Sequence, residues 1–149
     1  MNCDPPIDAC VPTNPCQNGG SCMPTGPATY ACACPAGWTG TDCSSDVDEC
    51  ATDNGGCSTS PMVSCMNTLG SRTCGACPSG YTGDGTSCVP VDCGAPPMVA
   101  NATYAVSGGL GGGTTTTVDA VATYVCGTGF TQSGSSVTCQ ANGTWTAPA

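Results

Sequence analysis

Three of the chain's ten carboxylates lie within four consecutive residues, Asp46-Val47-Asp48-Glu49, and the whole sequence answers them with one cationic side chain, Arg72, and no histidine. Carboxylates this close repel one another unless a counter-charge is bound. The chain does not supply that charge, so solution must. A hard divalent cation with oxygen ligands meets the need, calcium first among them. A second run, Cys65-Met66-Asn67-Thr68-Leu69-Gly70-Ser71, adds an amide oxygen and a glycine turn. On acidity alone a solvated acidic turn is the commoner arrangement. The metal reading rests on both runs standing in register between cysteines.

The elements that must position these groups are not built around a large apolar core. Sixteen cysteines in 149 residues, with 22 glycines, 13 prolines and one phenylalanine, describe a disulfide scaffold with no long helices. The expected fold class is small, disulfide-rich and all-β, a beads-on-a-string arrangement in which each bridge stabilises its module by roughly 2–5 kcal/mol. Disulfides at this density require an oxidising compartment, so the chain is expected to be extracellular, secreted or at a cell surface. The first 20 residues carry no basic and apolar leader, and no stretch reaches the length of a membrane span, so the sequence reads as an excerpt of a longer extracellular chain. A net charge of −9 excludes a basic footprint for nucleic acid or anionic lipid and leaves cations or basic proteins as partners.

The acidic segment resembles the calcium-binding EGF-like domain, whose pattern is Asp-x-Asp-Glu-Cys before the first cysteine and Cys-x-Asn-x-x-Gly-Ser after the third. Residue by residue, the resemblance implies Asp46, Glu49 and Asn67 as side-chain ligands of Ca2+ and the backbone carbonyls of Val47, Thr68 and Ser71 beside them, with Asp48 in support. It implies an affinity of about 0.1–1 mM for one isolated site. Arg72 stands where the family has an aromatic residue, two positions before the fourth cysteine; a cation there is expected to weaken binding. For this domain, residues 44–88, the resemblance implies the bridges Cys50–Cys65, Cys57–Cys74 and Cys77–Cys88. Cys74-Gly75-Ala76-Cys77 has the spacing of a redox or zinc motif, but no histidine or second pair accompanies it.

The preceding cysteines, at 10, 16, 22, 32, 34 and 43, resemble a first EGF-like domain over 10–43. Spacing alone leaves many connectivities open; the family implies Cys10–Cys22, Cys16–Cys32 and Cys34–Cys43 in two short hairpins. Pro6 and Ala9 stand where the acidic residues would be, so no metal is expected here. Ser21, before the third cysteine, and Thr39, in Cys34-x-x-Gly37-x-Thr39-Gly40, match the family's sugar-acceptor patterns. Only Ser44-Ser45 lies between Cys43 and the acidic run, too short for a free tether, and Trp38 is expected to pack against the second domain. Residues 1–9 read as a linker or the end of a preceding module, with Cys3 unpaired within the chain.

From 89 to 149 the texture changes. Cys93-Gly94-Ala95-Pro96-Pro97, Ala122-Thr123-Tyr124-Val125-Cys126, Ser136-Val137-Thr138-Cys139 and Asn142-Gly143-Thr144-Trp145 resemble a sushi (complement control protein) module, incomplete at its C-terminus. The resemblance implies Cys93–Cys139, leaves Cys126 unpaired within the chain and makes Trp145 the core tryptophan. The stretch Gly108–Thr117 is low-complexity and is expected to be mobile. Asn101-Ala102-Thr103 and Asn142-Gly143-Thr144 are N-glycosylation sequons.

Together these features point to a structural or adhesive segment of a large modular matrix, cell-surface or filament protein, a flagellar-hair-type fibre among them. It would be glycosylated, stiffened by calcium at the EGF junction, and would meet other extracellular proteins or copies of itself. The alternative is a ligand-recognition segment of a receptor or complement-like regulator. An enzyme is disfavoured: there is no histidine for base catalysis, and modules this small offer no deep cleft.

Overall fold

The structure, a computed structural model, describes residues 8–112, 114–131 and 136–147; Cys3 and the rest of the lead-in lie outside them. All its regular elements are short strands and two single 3-10 turns. β1 (Ser21–Gly26) and β2 (Thr29–Ala33) form one antiparallel hairpin and β3 (Trp38–Thr39) and β4 (Ser45–Asp46) a second. The 3-10 turns Glu49–Ala51 and Asp53–Gly56 follow, then the hairpins of β5 (Cys65–Thr68) with β6 (Ser71–Cys74) and of β7 (Tyr81–Gly83) with β8 (Cys88–Pro90). The last element is a three-stranded antiparallel sheet in the order β11 (Ser136–Thr138), β10 (Ala120–Cys126), β9 (Ala102–Gly108).

The described chain divides into two compact units, one within Met1–Cys57 and Ser64–Gly75, the other within Ser58–Val63 and Ala76–Ala149. Their interiors differ in kind. In the first, every buried apolar side chain among the described residues is a cysteine: Cys16, Cys43 and Cys57. Bridges Cys10–Cys22, Cys16–Cys32, Cys34–Cys43, Cys50–Cys65 and Cys57–Cys74 do the work that aliphatic burial does elsewhere. A bridge closing a loop of about 15 residues removes roughly 3 kcal/mol of chain entropy from the unfolded state. With so few apolar contacts, that covalent term dominates.

The second unit has a genuine, if small, apolar core. The central strand β10 alternates as a half-buried strand must, Ala120, Ala122 and Tyr124 facing inward between more exposed neighbours. Val118, Ala120 and Cys139 form one cluster, joined by Val91, Leu110 and Trp145; Ala122, Tyr124 and Val137 form a second, which Trp145 also touches. Trp145 thus spans both, and its Nε1 donates to the Gly94 carbonyl at 3.1 Å. The Tyr124 hydroxyl donates to the Pro97 carbonyl at 2.7 Å, and its ring meets Tyr104 edge-on, centroids 5.8 Å apart. Cys77–Cys88 and Cys93–Cys139 are the bridges of this unit, and Cys126 has no disulfide partner among the described residues.

Within the Gly-rich stretch, Leu110 is hydrogen-bonded to residues that follow it. Leu110 donates its N–H to the Val118 carbonyl at 2.9 Å, and its own carbonyl accepts the Thr117 hydroxyl at 2.6 Å. Low complexity in the sequence concealed one leucine with an apolar seat and a threonine placed to hold it there.

Candidate metal centre

The acidic run begins inside the second hairpin of the first domain. Asp46 pairs with Trp38 and Ser45 with Thr39, and the Val47 N–H donates to the Gly37 carbonyl at 2.9 Å. The inter-domain linker is therefore the outer strand of the domain it leaves, and its main chain has no freedom to swing while these bonds hold.

Asp46 then reaches across to the β5–β6 hairpin. Its Oδ1 accepts the Gly70 N–H at 2.5 Å and its Oδ2 accepts Asn67 Nδ2 at 2.7 Å. Gly70 sits in the turn between Thr68 and Ser71 with φ 70°, a conformation that L side chains avoid. Two glycines let the domains approach. A methyl group built on Gly37 would overlap the Gly70 carbonyl, and one built on Gly70 would lie 2.6 Å from Trp38 Nε1. The indole of Trp38 thus lies against the turn that carries Thr68, Gly70 and Ser71.

The remaining acidic residues take different positions. Asp48 caps the first 3-10 turn, its Oδ1 accepting the Cys50 N–H at 3.0 Å, and so is committed to its own backbone. Glu49 opens that turn, and its Oε2 is buried with no hydrogen-bond partner. A buried carboxylate oxygen left bare is strongly disfavoured unless a cation meets it. Glu49 thus carries an orphaned oxygen, and Asp46 and Asn67 are drawn together across the hairpin, each an oxygen donor of the kind a hard cation takes. Among the described residues no three carboxylate, thiol or imidazole side chains gather at one point. The expected donors, Asp46, Glu49 and Asn67 with main-chain carbonyls beside them, are all oxygen, which suits calcium and not zinc.

Arg72 lies directly across the hairpin from Asn67. Its side chain runs over Gly55 and Gly56, where a methyl on either glycine would collide with it, and its Nε is buried without a hydrogen-bond partner. The aromatic position of the family is thus filled by an arginine whose stem covers a glycine shelf. Sequence reading singled out Arg72 but not the shelf; the signal was Asn54-Gly55-Gly56, all three at positive φ.

The candidate sugar acceptors are all exposed: Ser21 opens β1, Thr39 lies in β3, and Asn101 and Asn142 occupy turns. At Asn142, Oδ1 accepts both the Thr144 N–H at 3.1 Å and its hydroxyl at 2.7 Å, leaving the amide nitrogen as the outward group.

Comparison with known proteins agrees with this anatomy. The EGF-like domain family matches residues 10–42, the calcium-binding EGF domain family 46–88 and the sushi repeat (SCR repeat) family 93–149. The chain is 45% identical over 67 residues to the cubilin homolog of Caenorhabditis elegans, covering 43% of this chain and 2% of that protein. It is 47% identical over 66 residues to neurogenic locus notch homolog protein 1 of Mus musculus, again 43% and 2%. To protein HEG of Danio rerio it is 40% identical over 87 residues, 58% of this chain and 8% of that one. The chain therefore spans less than a tenth of the length of these relatives. These modules and relatives place it among extracellular or cell-surface proteins. No helix among the described residues is long and apolar enough to cross a membrane.

Proposed function

From the premise that this chain is two EGF-like domains, the second of the calcium-binding type, followed by a sushi repeat, we propose that it is a structural or adhesive segment whose first junction is stiffened by calcium. Asp46, Glu49 and Asn67 hold the ion through their side chains, and Val47, Thr68 and Ser71 through their carbonyls. The observation that carries the reading is the double role of Asp46. Its backbone is paired with Trp38 of the first domain while its carboxylate holds Gly70 of the second. Any ligand that fixes this carboxylate fixes the angle between the domains.

Bound calcium supplies the positive charge that the chain lacks. The protein's own groups supply the rest: Asp48 sets the turn that aims Glu49, Gly70 lets the hairpin close on Trp38, and Gly37 admits the hairpin's backbone. Asn101, Asn142, Ser21 and Thr39 carry glycans on the exposed faces, and the partners are other extracellular proteins or further copies of the chain. The test is nitrogen-15 relaxation of the whole chain. With calcium, the β1–β2 and β5–β6 amides should report one common tumbling time, and with chelator two. Equal behaviour in both conditions overturns the stiffening. Sedimentation of the calcium-loaded chain then separates a self-assembling segment from a monomeric recognition module.

A further inference from the structure

The second junction, between the calcium-binding EGF domain and the sushi repeat, is built on a different principle. The linker residue Val91 donates its N–H to the Gly80 carbonyl of the EGF domain at 2.8 Å and accepts the Val118 N–H of the sushi repeat at 2.9 Å. One residue further on, Asp92 Oδ1 accepts the Thr116 hydroxyl at 2.5 Å, and Cys93 donates its N–H to the Thr116 carbonyl at 3.0 Å. The linker is therefore hydrogen-bonded through its main chain to both domains.

Apolar contact closes the same joint. Gly80 is buried at φ 86°, and a methyl built on it would lie 3.3 Å from both Leu110 Cδ1 and Val118 Cγ1. Leu110 comes from the Gly-rich loop, and it also packs on the cluster of Val118, Ala120 and Cys139 that Val91 joins. Glycines on both sides of Leu110 leave it the one side chain at the loop's tip able to fill this seat. Thr117 holds it by donating to its carbonyl.

We infer that the Gly-rich loop is a clamp: Leu110 locks the sushi repeat onto the Gly80 turn of the EGF domain, making a rigid second junction that needs no metal. The chain then has one junction governed by calcium and one that is not. Depleting calcium loosens the first and leaves the second intact. This inference stands apart from the metal assignment, because none of its contacts involves Asp46, Glu49 or Asn67.

The test is amide hydrogen exchange on the whole chain. In the wild type, the Val91 and Val118 amides should exchange slowly and at the same rate with calcium and with chelator. Leu110→Ser should speed both by roughly tenfold or more, as expected when a local opening loses its apolar closure, while Ala122 and Val137 in the sushi sheet keep their protection. Should Leu110→Ser unfold the sheet as well, Thr117→Val, which removes the hydroxyl's bonds to the Leu110 carbonyl and the Thr115 hydroxyl and leaves Leu110 in place, should give a smaller acceleration at Val91 and Val118 alone. Unprotected Val91 in the wild type, protection lost on chelation, or rates unchanged in both variants would overturn the clamp.

Discussion

Gly70→Ala probes the first junction most sharply, because one methyl group disturbs two features at once. At φ 70° an alanine is held in the left-handed region, which costs about 1–2 kcal/mol. The new methyl also falls 2.6 Å from Trp38 Nε1 and 2.8 Å from Trp38 Cε2, so the indole must leave or the turn must open, at roughly 1 kcal/mol or more. The bridges Cys50–Cys65 and Cys57–Cys74 brace the module against unfolding. The turn therefore relaxes in the metal-free protein, carrying Thr68, Ser71 and the Gly70 N–H away from Asp46, and calcium binding must restore it. A penalty of about 2–3 kcal/mol then appears as a roughly 30- to 150-fold loss of affinity. Isothermal titration of the whole chain reads this directly, with Trp38 fluorescence as a second signal in a Trp145→Phe background. Wild-type affinity in Gly70→Ala would refute the claim that this turn and the indole shape the site.

Asp84 and Asp92 are both held below the ordinary aspartate value of 3.8, Asp84 first by the Thr86 hydroxyl and then by the Ser87 and Thr86 N–H groups, Asp92 by the Thr116 hydroxyl and then the Gly94 N–H. A carboxylate depressed on folding stabilises fully above its unfolded pKa and loses that contribution as pH falls through the folded value. Melting temperature should be flat above about pH 5 and fall towards pH 2, and Asp92→Asn should flatten part of that slope. Tyr124→Phe removes the hydroxyl bond to the Pro97 carbonyl and should cost about 1 kcal/mol in denaturant melts followed by sushi-sheet signals. Reduction should abolish the first unit's fold at neutral pH, because its buried apolar side chains are the bridges themselves, while some protection survives around Ala122, Tyr124 and Val137. Loss of both at equal rates would contradict the contrast between the two interiors.

Much of this was legible in the sequence because cysteine and glycine are restrictive residues. Sixteen cysteines with one phenylalanine admit little besides a disulfide-rich all-β chain, and Asp46 to Glu49 without a nearby base announces a cation. What escaped were contacts that depend on an absent side chain. Gly37 against Gly70, and Gly80 against Leu110, leave no hydrophobic pattern, since the informative fact is that nothing protrudes. Arg72 was visible as an anomaly, but its seat over Gly55 and Gly56 needed the geometry of a turn whose residues sit at positive φ. At Gly108–Thr117 composition averages over a window and hides the one leucine that packs on the Val118 cluster.

The proposed ion between Asp46, Glu49 and Asn67 would fix the first junction, and the Val47 amide, bonded to the Gly37 carbonyl, is its most direct reporter. Its hydrogen exchange should slow on adding calcium to the wild type and show no calcium dependence in Glu49→Ala. A Val47 amide indifferent to calcium in the wild type, or equally responsive in the variant, would contradict the account.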